Sequence, residues 1–414
     1  MQENKLNIKR TILLSFGFFA SMIIWNIYTT FVPPILSDLL QQREQRLLEQ
    51  GIVPVLGVGV LIGLIMSIDN LFGVIFQPLF GRMSDRTRTR FGRRIPFLLV
   101  GIPICAVLFT LIPHMNTLWS LMAVVIVFTF MMGVWRTPAV SLMPDLTPGP
   151  FRSQANGIVN LVGAVGIALA LGGGGILYRL GGNPLPFLAS GIISLGALAV
   201  VAIFIREPAY PPLPPKEESK KTEIKLNNKE KKSFIFILCA IFFWFMGYDA
   251  IQTFFSLYAI AILGINTGQA SMLLMFVAVG VVLFGIPSGF IGAKIGRRKT
   301  IFIGLAGMFS LFIPMIFVSN LWIIRGLLFL CGMFWACINI NSLPMVVRIS
   351  GPAKIGLFIG YYYLFSFSAQ LITTPLYGKI YDIVGNHQAL WIYALITFAL
   401  AIICLLFVRH GEEE

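Results

Sequence analysis

The sequence predicts an all-α integral membrane protein, with twelve transmembrane helices in two pseudo-symmetric six-helix halves. Three observations predict it. First, 57% of the 414 residues are hydrophobic and only 12% are charged, and the mean hydropathy is +0.85. A soluble domain averages about 45–50% apolar and about 25% charged residues. Second, the apolar residues fall into twelve long runs with the basic residues gathered on one side of them. Third, signals in the first half of the chain recur in the second. A soluble globular protein and a disordered chain are both excluded.

A hydrocarbon core about 30 Å thick takes ~20 apolar residues per helix. The runs fall at 11–36, 54–80, 95–113, 118–144, 154–178, 185–205, 234–263, 268–293, 300–319, 321–347, 355–380 and 388–408. The first is too long for the apolar region of a signal peptide and has no small-residue cleavage pattern after it, so it reads as a helix.

The net charge of +14 raises nucleic acid as a partner, but the placement of the bases excludes it. Twenty-five lie on one side of the runs and four (Arg43, Arg46, Arg179 and Lys379) on the other, while Arg136 and Arg325 fall within runs. An excess of Lys and Arg marks the cytoplasmic side. A multi-pass protein of the cell membrane is therefore expected, with both termini and residues 206–232 cytoplasmic and residues 37–53 outside. The lipid bilayer is its partner, and no nucleic acid is.

The five cysteines lie inside apolar runs without a CxxC spacing and read as small buried hydrophobes. The three histidines sit at the ends of runs, which leaves no plausible metal site. No phosphate-cradling loop or nucleophile elbow is present. Neither an enzyme nor a bound cofactor is expected.

Residues 207–233 open with five prolines and continue as a Lys/Glu-rich stretch, the composition of a linker lying near anionic headgroups. The expected organisation is a bundle over 1–205, a linker over 206–232 and a second bundle over 233–414. The halves echo each other. Gly81, Ser84, Asp85 and Arg86, then Gly92, Arg93 and Arg94, follow run 2; Gly289, Gly292, Ala293 and Lys294, at an offset of 208, then Gly296, Arg297 and Arg298, follow run 8. Gly175, Tyr178 and Gly182 recur as Gly378, Tyr381 and Gly385, at an offset of 203. Internal duplication explains both echoes.

The six-plus-six layout with paired basic loops resembles the major facilitator superfamily over nearly the whole chain. Within it, Gln77-Pro78-Leu79-Phe80-Gly81 with Ser84-Asp85, then Phe91-Gly92-Arg93-Arg94 with Pro96-Phe97, is similar to the plant sucrose/proton symporters and their bacterial and animal sugar-transporter relatives. Pro144-Asp145-Leu146-Thr147, with Arg152, Ala155 and Asn156, resembles the same group. One departure stands out: where the plant proteins carry an Arg before that Asp-Leu, this chain has Val140, and Arg136 lies one turn further into the membrane. The resemblance implies a secondary transporter that works by alternating access and functions as a monomer. It places runs 1, 4, 7 and 10 around a central cavity.

A charge at the bilayer centre costs about 2.5–3.5 kcal/mol, so intramembrane ionisable residues are functional candidates. Asp69, Arg136 and Asp249 qualify. Arg325 is close enough to the end of run 10 to snorkel. Asp249, Gln252, Thr253 and Ser256 form one helical stripe, as do Trp335, Asn339 and Ser342; Asn26, Thr30 and Pro33; and Asp69, Gly73 and Gln77. Asp249 and Asp69 are the candidates for carrying a coupling proton. A static pair between Asp69 and Arg136, holding two helices together, remains the alternative.

A sugar site needs hydroxyl partners and aromatic faces. Asn26, Arg136, Asn156, Asn160, Gln252 and Asn339 supply the first; Tyr28, Tyr248 and Trp335, beside Trp25, Trp135 and Trp244, supply the second. Isolated polar residues such as Thr129, Asn341 and Ser366 read as glue between helices. Gly81, Asp85, Arg86, Gly92, Arg93, Arg94, Asp145, Arg152, Lys294, Arg297 and Arg298 are the candidates for conformational gating, through charge-assisted bonds across helix ends. The expected function is proton-coupled uptake of a sugar or glycoside. A proton-driven exporter of amphipathic drugs, sodium in place of protons, and a sensor without transport stay open.

Overall fold

The apolar runs become helices in the computed structural model, which describes residues 6–148, 151–208, 227–350 and 355–408. They are α1 (Ile8–Glu49), α2 (Val58–Arg86), α3 (Ile95–Leu111), α4 (Leu118–Leu146), α5 (Arg152–Gly181), α6 (Pro184–Phe204), α7 (Asn228–Leu263), α8 (Thr267–Ile295), α9 (Arg297–Met315), α10 (Leu321–Ser350), α11 (Ile355–Val384) and α12 (Ala389–Leu406). A 3₁₀ turn, Ile112–His114, follows α3, and no strand occurs among the described residues. Among the described residues, eleven helices are long and apolar enough to cross a membrane. The expected linker lies outside the described residues from 209 to 226, as do the chain ends at 1–5 and 409–414.

Several helices outrun the apolar stretches that announce them. Instead of the expected connection from residue 37, α1 continues to Glu49. Residues 39–49 are rich in Leu, Gln, Arg and Glu, all strong helix formers, and the first break comes at Gly51 with φ 75°. Hydropathy measures how much chain suits the bilayer, not where a helix ends. At the start of α7 the Asn227 amide donates to Glu230 at 2.9 Å, and Asn266 and Gln269 cap α8 reciprocally at 2.9 and 3.1 Å.

By its contacts the chain divides into two units, residues 1–39 with 68–218 and residues 40–67 with 219–414, so α1 and α2 each run from one into the other. In the first unit, α3 packs on α4 and α6. Gly101 lets the backbone of α3 approach the buried Trp135, where a Cβ would overlap the indole. Phe109 stacks on Phe128 at 5.1 Å and meets Phe187 at 4.7 Å.

In the second unit, α8 and α10 meet at Gly280 and Gly332, where any side chain would run into the facing backbone. Small residues at this crossing give the close van der Waals packing that holds helices together in lipid. Asn341 adds hydrogen bonds to the Ser288 and Cys337 carbonyls at 3.2 and 3.0 Å. The same unit seats the start of α2 on the end of α11. There the Asp382 carboxylate accepts from the Gly59 and Val60 amides at 2.7 and 2.9 Å, and Gly63 lies against the Thr374 backbone with no room for a Cβ.

Candidate functional site

In the first unit, α1, α2 and α4 bring one set of the candidate residues together. Asp69 and Tyr28 are both buried, and Asp69 lies within electrostatic range of both Tyr28 and Arg136. The Arg136 guanidinium sits 4.9 Å from the centre of the Trp25 ring, the geometry of a cation–π contact. Tyr28 packs against Phe128 at 5.4 Å, and its hydroxyl has no hydrogen-bond partner among the described residues. Asn26 is buried and donates its side-chain amide to the Met22 carbonyl of its own helix at 2.8 Å. Asn156 and Asn160 lie apart on an exposed face of α5, where Asn160 donates to the Asn156 carbonyl at 2.9 Å.

In the second unit, Tyr248 and Trp335 stack on each other, with ring centroids 3.6 Å apart and planes 2° from parallel. The two rings therefore present one double platform in place of two separate faces, and Phe245 closes an edge of Trp335 at 5.7 Å. Gln252 donates to the Tyr248 hydroxyl at 3.4 Å. Asp249 is buried on the same helix, within electrostatic range of Tyr248 and Tyr393. Asn339 is exposed, one turn along α10 from Trp335.

The gating candidates gather around Arg94, which is almost wholly buried. Its Nε donates to Asp145 at 2.8 Å, and its terminal nitrogens reach Asp85, the Ser84 hydroxyl and, at 3.3 Å, the Gly81 carbonyl. Arg93 pairs with the other Asp145 oxygen at 2.6 Å. One guanidinium thus ties the end of α2 to the end of α4, using the fork geometry that Lys lacks. Gly92 turns the chain here with φ 98°. Arg152 donates to the Thr147 carbonyl at 3.2 Å, and Arg86 is exposed.

Glu207 belongs to this cluster, although no motif in the sequence marks it. Its carboxylate accepts from the backbone amides of Arg93, Arg94 and Ile95 at 2.5, 3.0 and 3.0 Å. It closes the N-terminus of α3, where a negative charge meets unsatisfied N–H groups and the positive end of the helix dipole. The second unit has Ala293 where the first has Asp85. There Arg298 donates to the Leu405 and Leu406 carbonyls at 3.4 and 3.1 Å and so closes the C-terminus of α12, while Lys294 is exposed and Arg297 half-buried.

The helices thus set two buried acids, Asp69 and Asp249, and a half-buried arginine, Arg136, beside aromatic residues. The chain belongs to the Major Facilitator Superfamily, whose family model matches residues 14–280 and 237–414. It is 24% identical over 277 residues to the tetracycline resistance protein, class H, of Pasteurella multocida, covering 63% of this chain and 65% of that protein. An uncharacterized symporter of Synechocystis sp. is 34% identical over 99 residues, 21% of this chain and 18% of that one. The chain thus matches less than two thirds of the length of either relative. The crystal structure of a mutant of the nucleoside transporter NupG superposes with a TM-score of 0.70 at 14% identity, over 97% of this chain and 100% of that one, which shows the shared fold.

Proposed function

We propose that this chain is a proton-coupled secondary transporter that takes up a sugar or glycoside by alternating access, moving residues 1–205 against residues 233–414. The observation that carries the proton-coupled part is the burial of Asp69 and Asp249 within helices of mostly apolar residues. A carboxylate in such a place is expensive unless it exchanges a proton or meets a counter-charge. The driving ion is H⁺, with Na⁺ as the alternative, which uptake measured with a sodium gradient in place of the proton gradient would reveal. The sugar part rests on amide and guanidinium groups beside aromatic rings, Asn26 and Arg136 with Trp25 and Tyr28 in one unit and Gln252 with Tyr248 and Trp335 in the other. The similarity to an uncharacterized symporter supports the symport part of this reading.

The Tyr248–Trp335 stack favours a second reading. A flat, wholly aromatic platform also suits a planar amphipathic drug, and the similarity to a tetracycline resistance protein points the same way. Labelled sucrose, maltose and tetracycline should be compared in one preparation of vesicles bearing the full chain, with and without a proton gradient. Gradient-driven sugar accumulation supports uptake, and gradient-driven tetracycline extrusion without sugar accumulation replaces it with export.

A further inference from the structure

Three helices of the second unit meet in a short chain of hydroxyls whose direction is fixed. Thr373 of α11 is fully buried, and its hydroxyl lies 2.9 Å from the Met246 carbonyl of α7. A carbonyl can only accept, so the Thr373 proton is committed to it. The Tyr393 hydroxyl of α12 lies 2.5 Å from the Thr373 oxygen. With the Thr373 proton already placed, Tyr393 must be the donor of that bond. What remains on the Tyr393 oxygen is acceptor capacity alone.

The position of this chain gives it a role. The Met246 carbonyl points along α7 toward the turn that carries Asp249, three residues on, and Asp249 lies within electrostatic range of Tyr393. The two protonation states of a carboxyl group respond differently to such a neighbour. A carboxylate needs donors, whereas a protonated acid offers an O–H that needs an acceptor. We propose that Thr373 and Tyr393 form a positioning relay that presents an acceptor to Asp249, directly or through one water, and thereby favours its proton-loaded form. This rests on the reading of Asp249 as a proton carrier and adds the residues that set when it loads.

Among the described residues, Tyr248 precedes Asp249 on α7 with Cys331 of α10 nearby, α12 contributes Tyr393, and α11 contributes Tyr377, whose ring lies 5.4 Å from that of Tyr393. On α8 the charged residue is Lys294 in the last turn. Tyr248 and Tyr393 are the aromatic hydroxyls within electrostatic range of Asp249.

The test is infrared difference spectroscopy of the full-length protein in proteoliposomes as the pH is changed, with the Asp249 carboxyl band assigned by its loss in Asp249→Asn. Thr373→Val releases the Tyr393 proton to serve the carboxylate. The band should then titrate about one pH unit further to the acid side, since a tenfold change in proton affinity is one unit. Thr373→Ser keeps the order of donors and should titrate as the wild type does. Tyr393→Phe removes the acceptor, so the midpoint should again move to the acid side, with the carbonyl band at higher frequency. It serves as the readout if Thr373→Val does not fold. A midpoint unmoved in the folded variants, or moved to the alkaline side, overturns the relay and leaves the hydroxyls as glue between helices. If no Asp249 band titrates in the wild type, the proton-carrier reading itself fails.

Discussion

Arg94 donates to Asp145 at 2.8 Å from a position almost sealed from solvent, and this bond fixes the loop after α2 against the end of α4. Arg94→Lys keeps a charge but cannot serve Asp85, Asp145, Ser84 and the Gly81 carbonyl together. Hydrogen bonds to charged groups contribute about 1.5–3 kcal/mol each and leave unsatisfied groups behind when lost, so the variant should be less stable by about 2 kcal/mol. Thermal unfolding of the purified protein reads this. The Asp145→Asn change made in the Arg94→Lys background should add little, because the two residues share one network.

Glu207→Ala strips three backbone amides of their acceptor, and loss of a helix N-terminal cap costs about 0.5–2 kcal/mol. Gly92→Ala should destabilise by a different route. A Cβ there would overlap Glu207, and the φ of 98° disfavours any side chain. Both variants should unfold at lower temperature than the wild type. Equal stability of Glu207→Ala and the wild type would remove Glu207 from the cluster.

Much of the fold was legible in the sequence because bilayer thickness and charge placement act on long stretches. The candidate clusters were legible in part. Asp69 and Arg136 stand out as charges in apolar runs, but their neighbourhood with Trp25 and Tyr28 comes from the packing of α1, α2 and α4, which a stripe along one helix does not specify. Glu207 was not legible, because a carboxylate after a helix looks like any loop acid until its three amide partners come into place. Thr373 and Tyr393 were hidden for another reason: a single hydroxyl in an apolar run has many local uses, and only the packing of α7, α11 and α12 shows which one it has. The length of α1 was missed because polar helix formers carry no hydropathy signal.

Arg136→Lys removes the planar group that lies over Trp25 while keeping the charge. If Arg136 contacts substrate, apparent affinity for the transported sugar should fall about tenfold, the effect of ~1.4 kcal/mol, with protein levels unchanged. Unaltered affinity would assign Arg136 to a static pair with Asp69.

Gly63→Ala places a methyl group against the Thr374 and Pro375 backbone. Neither backbone segment can move aside cheaply, and overpacking costs about 1–3 kcal/mol. A lowered unfolding temperature is expected, with Asp382→Asn giving a smaller loss because the Asn side-chain oxygen can still accept from one of the two backbone amides. An unchanged unfolding temperature for Gly63→Ala would mean that the start of α2 does not sit tightly on α11.

His387, between α11 and α12, rests against the Tyr381 ring at 4.4 Å, and burial holds its imidazole below the ordinary range of about 6.5. An imidazole depressed in the folded state binds its proton first in the unfolded state. Its contribution to stability is therefore present above the ordinary value and lost as pH falls below it. The wild type should lose more stability than His387→Gln between pH 7 and pH 5, by approximate midpoints of thermal unfolding. Parallel pH profiles would exclude His387 as a source of acid sensitivity.

The central claim is that a buried aspartate couples proton movement to solute movement, and the most direct measurement compares Asp249→Asn and Asp69→Asn with the wild type in proteoliposomes. Uphill accumulation of labelled sucrose or maltose under an inward proton gradient is measured beside downhill exchange of the same sugar. An Asn at the coupling position cannot take up or release a proton, whereas exchange needs no net ion movement. The wild type should accumulate sugar, and at least one variant, Asp249→Asn foremost, should lose accumulation while retaining exchange. Undiminished accumulation in both variants would contradict the claim.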